Sequence, residues 1–96
     1  MENIYLLKII GQRGELFVTI LEETEQYYIV KNPLIFDYVN DGQQQGFAFI
    51  EWFADLDNTQ SIKISKTGVI AIASPSNNMK KQYIIETSGI AIATHI

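Results

Sequence analysis

The run from residue 62 to residue 73 constrains the fold more than any other stretch of this chain. Ile62 to Ser65 alternates apolar and polar residues, as a strand with one buried face does. After the short turn Lys66-Thr67-Gly68, Val69 to Ala73 is apolar at every position and carries no charge. A strand of that kind is expected where both faces are covered or where the strand edge is paired. The pattern predicts a β-protein in which the second run takes part in association.

A second uncharged run, Gly89 to Thr94, also alternates Ile with Ala. The chain has 96 residues, enough for one domain with a single small core. Such a domain gains stability from oligomerisation, and two uncharged β-like runs make a bare monomer an unexpected state. We therefore expect one domain over residues 1–96 that associates with copies of itself.

Composition narrows the chemistry that is open to the chain. It has no cysteine, which excludes disulfides, thiolate metal sites and cysteine nucleophiles. The net charge of −4 disfavours strong binding to nucleic acid unless the basic residues cluster on one face. No run is long enough to span a membrane, and the N-terminus lacks the features of a signal peptide. We expect a soluble, cytoplasmic protein without a membrane partner.

Turn residues recur at short intervals, and the segments between them are rich in Ile, Val, Tyr and Phe, which is typical of β-proteins. The predicted strands before residue 34 are Ile4–Ile10, Leu16–Glu22 and Tyr27–Lys31. Asn32-Pro33 is expected to interrupt the third strand, because proline cannot donate to a β-ladder. In the second strand Leu16 and Val18 share one face, and Phe17 lies on the other.

Residues 34–58 predict an inserted hairpin with arms at Leu34–Val39 and Gly46–Phe53. A single short helix is predicted from Ser76 to Ile85, where Pro75-Ser76 offers an N-terminal cap. The fold class is thus mainly β, with the hairpin insertion and one short helix.

The order of these elements resembles the Sm-like fold. The resemblance covers residues 4–93 and implies a small, strongly bent antiparallel barrel of about five strands, with the extended hairpin insertion and one short helix. The Asn32-Pro33 junction, the Gly46 to Phe49 segment and the Ile64-Ser65-Lys66 turn are similar to the small Sm-like proteins of cyanophages and related T4-like phages. The closing Pro75-Ser76 and Tyr83 add to the resemblance. The arginine and asparagine of the second Sm motif are absent here, so the uridine recognition of that family is not expected to carry over.

The resemblance implies a cyclic homo-oligomer, a ring, with strand-to-strand contacts between subunits. The expected interface residues are Ile62, Ile64, Val69, Ile70 and Ile72. It also implies single-stranded RNA or DNA as a ligand at the ring pore, where a cation and hydroxyls hold phosphates. The expected nucleic-acid-binding residues are Gln26, Tyr27, Tyr28, Ser65, Lys66 and Thr67. Tyr27 and Tyr28 are adjacent, so only one can face a base if both lie in a strand.

Catalysis and metal binding have little support in the sequence. His95 is the only histidine and lies beside the end of the sequence, where a base is poorly oriented. Asp55, Asp57 and Asn58 lack the further ligands of a calcium loop. We expect no enzyme, no metal site and no cofactor.

Two functions remain open. The first is a phage-type Sm-like ring that binds single-stranded nucleic acid weakly and acts in RNA or DNA processing, in the host cytoplasm if a phage encodes it. The second is a structural or protein-interaction scaffold of a phage that uses the same ring without a nucleic-acid ligand.

Overall fold

A computed structural model describes residues 3–43, 45–53, 56 and 60–88. These residues form six strands, one 3-10 turn and one α-helix. The strands are β1 (Ile4–Ile9), β2 (Glu15–Glu23), β3 (Tyr27–Asn40), β4 (Gln45–Glu51), β5 (Ile62–Ser65) and β6 (Val69–Ala73). The 3-10 turn spans Lys66–Gly68 between β5 and β6, and helix α1 spans Asn77–Thr87.

The strands form one antiparallel sheet in the order β4-β3-β2-β1-β6, and β5 pairs with β3 beside this path. The prediction of a mainly β domain is confirmed, with six strands in place of about five. Within the part of the chain described, β6 pairs only with β1 and β5 only with β3. As far as the described residues go, the sheet is open, and β4, β5 and β6 each have an edge without a strand partner.

The predicted interruption of the third strand at Asn32-Pro33 is wrong. β3 continues through both residues to Asn40. Asn32 takes a positive φ of 54°, and the register with β2 shifts between Phe17 and Thr19, opposite this dipeptide. The bulge accommodates the missing donor of proline, so the strand bends and goes on.

β2 separates two apolar clusters, as its alternation predicts. Leu16 and Val18 lie in one cluster with Leu7, Tyr28, Val30, Ile35 and Ile64. Phe17 lies in the other with Ile4 and Tyr83. Residues 16–19 of β2 are thus covered on both faces, because the bent sheet encloses one side and α1 packs on the other, whereas residues 21–23 are exposed.

Helix α1 begins where the sequence predicts it. The Ser76 hydroxyl accepts a hydrogen bond from the Met79 amide at 3.2 Å and caps the helix. Tyr83 is the one fully buried helix residue in the described part of the chain. Its ring stacks on Phe17 at 5.6 Å, and its hydroxyl donates to the Asn32 carbonyl at 2.6 Å. Tyr83 therefore anchors α1 at the bend of β3.

The predicted hairpin is formed by the second half of β3 and by β4, which ends at Glu51 rather than Phe53. Asp55, Asp57 and Asn58 lie outside the described residues, as do His95 and the run Gly89 to Thr94. None of the described helical residues belongs to a helix that is long and apolar enough to cross a membrane.

Candidate nucleic-acid interface

The turn between β5 and β6 is built by Ser65, Lys66 and Thr67. The Ser65 hydroxyl accepts from the Thr67 amide at 3.3 Å, and the two side-chain oxygens are 2.8 Å apart. The Lys66 amide donates to the carbonyl of Gln26 at 2.9 Å. The three predicted residues of this turn thus lie together, and Gln26 contacts them through its backbone.

The side chain of Lys66 is held by two neighbours. Its Nζ donates to Oε2 of Glu23 at 2.6 Å and lies 4.9 Å from the ring centroid of Tyr28. Both side chains of the ion pair keep contact with solvent, so the pair itself stabilises the fold by about 0–1 kcal/mol. The pair also lowers the positive potential of the turn, because the Glu23 carboxylate balances the Lys66 charge that would meet a phosphate.

The two adjacent tyrosines lie on opposite faces of β3. Tyr28 is 8% exposed and belongs to the core, and Lys66 covers its ring. Tyr27 is half-buried, and the Nζ of Lys63 lies 4.9 Å from its ring centroid. Of the two rings, Tyr27 is therefore the one that a base can reach without displacing the core.

The connection from β2 to β3 is tight. Oγ1 of Thr24 accepts from the amides of Gln26 and Tyr27 at 3.2 and 3.0 Å, and the Thr24 amide donates to the Tyr27 carbonyl at 2.9 Å. These bonds fix the loop and leave Gln26 exposed beside the turn that carries Lys66. The backbones of Gln26, Tyr27 and Lys66 are therefore brought to one corner of the molecule, while the ring of Tyr27 lies on the face of β3 opposite to Tyr28 and Lys66 Nζ.

The predicted interface residues have unequal positions. Ile64 is buried in the core of its own chain, so only its backbone is available to another subunit. Ile62 and Val69 are half-buried against the same core. Ile70 is 67% exposed and Ile72 is also exposed, both on β6, the strand expected to be covered. Among the described residues, β6 is an open, uncharged edge.

An open cavity of about 160 Å³ lies between the side chain of Lys66 and the open edge of β6. It is lined by Tyr28, Lys66 and the β6 residues Val69, Ile70, Ala71 and Ile72. A group that binds at Lys66 thus lies beside the edge where a second subunit would pair.

Two residues of this corner, Glu23 and Lys63, were not assigned a role by the sequence. The acidic segment at the end of β2 indicates a charge opposed to Lys66, yet Glu22, Glu23 and Glu25 are equivalent in that pattern. Only the pairing of β3 with both β2 and β5 selects Glu23 as the partner of Lys66. Lys63 reaches Tyr27 through the same β3–β5 pairing.

Among the described residues, no three His, Asp or Glu side chains are grouped so that they could hold a metal ion. No protein-family model matches this chain, and no curated protein matches it. The relationship to Sm-like proteins stays a prediction from the residues quoted above.

Proposed function

We propose that copies of this chain form an Sm-like ring that binds single-stranded nucleic acid weakly at the corner around Lys66. β5 and β6 follow each other directly, yet they pair with β3 and β1 near opposite sides of the sheet. A connection of this kind supports a sheet that curls into a small barrel. The single observation that carries the proposal is that Lys66 lies in the turn between two strands whose outer edges have no partner in the described chain.

The proposed ring is inferred from the unpaired edges of β5 and β6. An open, uncharged strand such as β6 pairs readily with another strand, and natural proteins rarely leave one exposed. In the proposed ring, β6 of one subunit pairs with β5 of its neighbour. The exposed side chains of Ile70 and Ile72 are then covered, and the heterologous contact closes into a ring.

Ligand binding follows from the position of the turn. In a ring, each subunit contributes its Ser65, Lys66 and Thr67 to the same opening, so the cations and hydroxyls surround one axis. Phosphate contacts of this kind hold a strand without reading its sequence. Tyr27 adds a ring on which a base can stack. The net charge of −4 and the Glu23–Lys66 pair make the binding weak and sensitive to salt.

The test is a titration of the full chain with oligo-U, oligo-A and single-stranded DNA of equal length, at two salt concentrations. We expect Lys66→Ala to weaken binding to all three alike and to lower the salt slope. Lys81→Ala, which removes an exposed cation from α1, is the matched control and should bind as the wild type does. Equal binding by Lys66→Ala and the wild type would contradict the proposed site.

A phage scaffold without a nucleic-acid ligand is the second candidate. The observation that favours it is the ion pair itself, because Glu23 already satisfies the one cation of the turn. This candidate predicts a ring that binds none of the three oligonucleotides even at low salt.

A further inference from the structure

Strand β4 carries a third open edge among the described residues, where it pairs with residues 34–40 of β3, whereas β5 pairs with residues 27–30. Within the described residues β4 pairs only with β3, in seven consecutive pairs without a bulge from Leu34–Glu51 to Asn40–Gln45. Natural edge strands are usually protected by charges, by proline or by a bulge. β4 has no proline and no lysine, and Glu51 at its end is its only charged residue.

Apolar side chains are exposed along this edge on both faces of the strand. Phe47 is 65% exposed, and Ile50, on the opposite face, is exposed as well. Phe47 stacks on Phe36 at 5.3 Å and contacts the ring of Tyr38 at 5.7 Å. The rings of Phe36 and Tyr38 thus fix the orientation of the Phe47 side chain, which lies outside both apolar clusters of the core.

We propose that this edge binds a second copy of the chain, with β4 antiparallel to β4 and a two-fold axis at Ala48. Among two-fold registers, this one alone pairs all seven residues of the strand. Residue 48 meets itself, and the pairs 47 with 49, 46 with 50 and 45 with 51 follow. Phe47 then faces Phe49 of the second copy, a favourable aromatic pair across strands.

The charges of the strand fit the same register. Glu51 faces Gln45 of the second copy, so no two carboxylates meet. Oε1 of Gln45 already accepts a hydrogen bond from the Tyr38 hydroxyl at 2.8 Å, which leaves the amide NH₂ to donate to Glu51. Two-fold pairing uses the same edge on both copies and is therefore closed, unlike an edge that can continue into a fibre.

This inference goes beyond the proposed function, since the ring uses β5 and β6 and the new contact uses β4. Where the two-fold axis crosses the ring axis at right angles, the two contacts together give a stack of two rings with an even number of subunits. Native mass spectrometry separates the two contacts. Phe47→Lys should halve the mass of the wild type, Ile70→Lys should leave a dimer, and the double variant should be a monomer.

The matched control is Ile84→Lys, which places a charge at an exposed position of α1 and should leave the mass unchanged. If the ring proposal alone is wrong, the wild type is a dimer and Phe47→Lys is a monomer. An unchanged mass for Phe47→Lys overturns the β4 contact and leaves the ring untouched.

The β4–β4 register can be tested by disulfide formation between introduced cysteines, because the chain contains no cysteine of its own that could react. Under mild oxidation Ala48→Cys should form a disulfide-linked dimer, since paired strands bring opposed Cα atoms within about 4.5–5.5 Å. Ile50→Cys faces Gly46 of the second copy and should stay unlinked. If residues 89–96 or another protein covered this edge instead, Ala48→Cys would also stay unlinked, and that result would overturn the proposal.

Discussion

Lys66 Nζ lies 2.6 Å from Oε2 of Glu23 and joins the turn after β5 to the end of β2. The contact crosses β3, which pairs with both strands. The formation of this contact therefore depends on how the sheet bends at this corner. It also sets the charge of the candidate site, because the cation expected to hold phosphates already has an anionic partner within its own chain.

Removing that partner should strengthen binding to nucleic acid. Glu23→Gln keeps the size of the side chain and frees the charge of Lys66. Since such a pair is worth about 0–1 kcal/mol, affinity for single strands should rise by up to about fivefold. Fluorescence anisotropy with oligo-U at low salt measures the change. Glu25→Gln alters the net charge equally without touching Lys66 and is the control; an equal rise in both variants would mean that only net charge matters.

Tyr27 should contribute by stacking. Tyr27→Ala should weaken binding of oligo-U and oligo-A, because stacking of one base on an aromatic ring is worth about 1–3 kcal/mol. Tyr27→Phe keeps the ring and should bind as the wild type does. The same titration checks both variants, and wild-type affinity in Tyr27→Ala would exclude Tyr27 from the site.

The hydroxyl of Tyr83 should stabilise the fold. It donates to the Asn32 carbonyl at 2.6 Å, so the Thr19 hydroxyl at 3.2 Å is placed to donate to it in turn. Tyr83→Phe leaves these buried groups unsatisfied and should lower the free energy of unfolding by about 1–3 kcal/mol. Tyr38→Phe removes a hydroxyl that is hydrogen-bonded at the surface and should change it by less than about 0.5 kcal/mol. Urea unfolding compares the two, and equal losses would contradict the anchoring role.

Two glycines with the same backbone conformation should respond differently to alanine. Gly11 and Gly14 both have φ of 76°, and an added Cβ at Gly11 meets nothing within 4 Å. At Gly14 it would lie 2.7 Å from the backbone oxygen of Phe36. Gly11→Ala should cost about 1–2 kcal/mol for the left-handed conformation, and Gly14→Ala about 1–3 kcal/mol more. Thermal unfolding tests which of the two variants loses more stability. Equal losses would mean that β3 moves away from residue 14 without a cost in free energy.

Local patterns predicted most strands and the helix of this fold. The alternation in β2 assigns Leu16 and Phe17 to opposite faces, and the Ser76 cap marks the start of α1. The course of β3 through Asn32-Pro33 could not be predicted, because the bulge that permits it depends on the pairing with β2.

The candidate site was predicted in part. The residues of the β5–β6 turn are adjacent in sequence, so they necessarily lie together. The contact between Lys66 and Glu23 joins residues 43 positions apart and depends on the order of β2, β3 and β5. Burial of Tyr28 rather than Tyr27 likewise depends on which face of β3 turns inward.

The ring is the central claim, and native mass spectrometry of the full chain at tens of micromolar tests it most directly. Ile70→Lys places a charge on the open edge of β6, and Ile10→Lys places one at a similarly exposed position just after β1. The account predicts more than two chains per particle for the wild type and Ile10→Lys, and no more than two for Ile70→Lys. A wild-type monomer or dimer, or an Ile70→Lys variant with the wild-type mass, would contradict it.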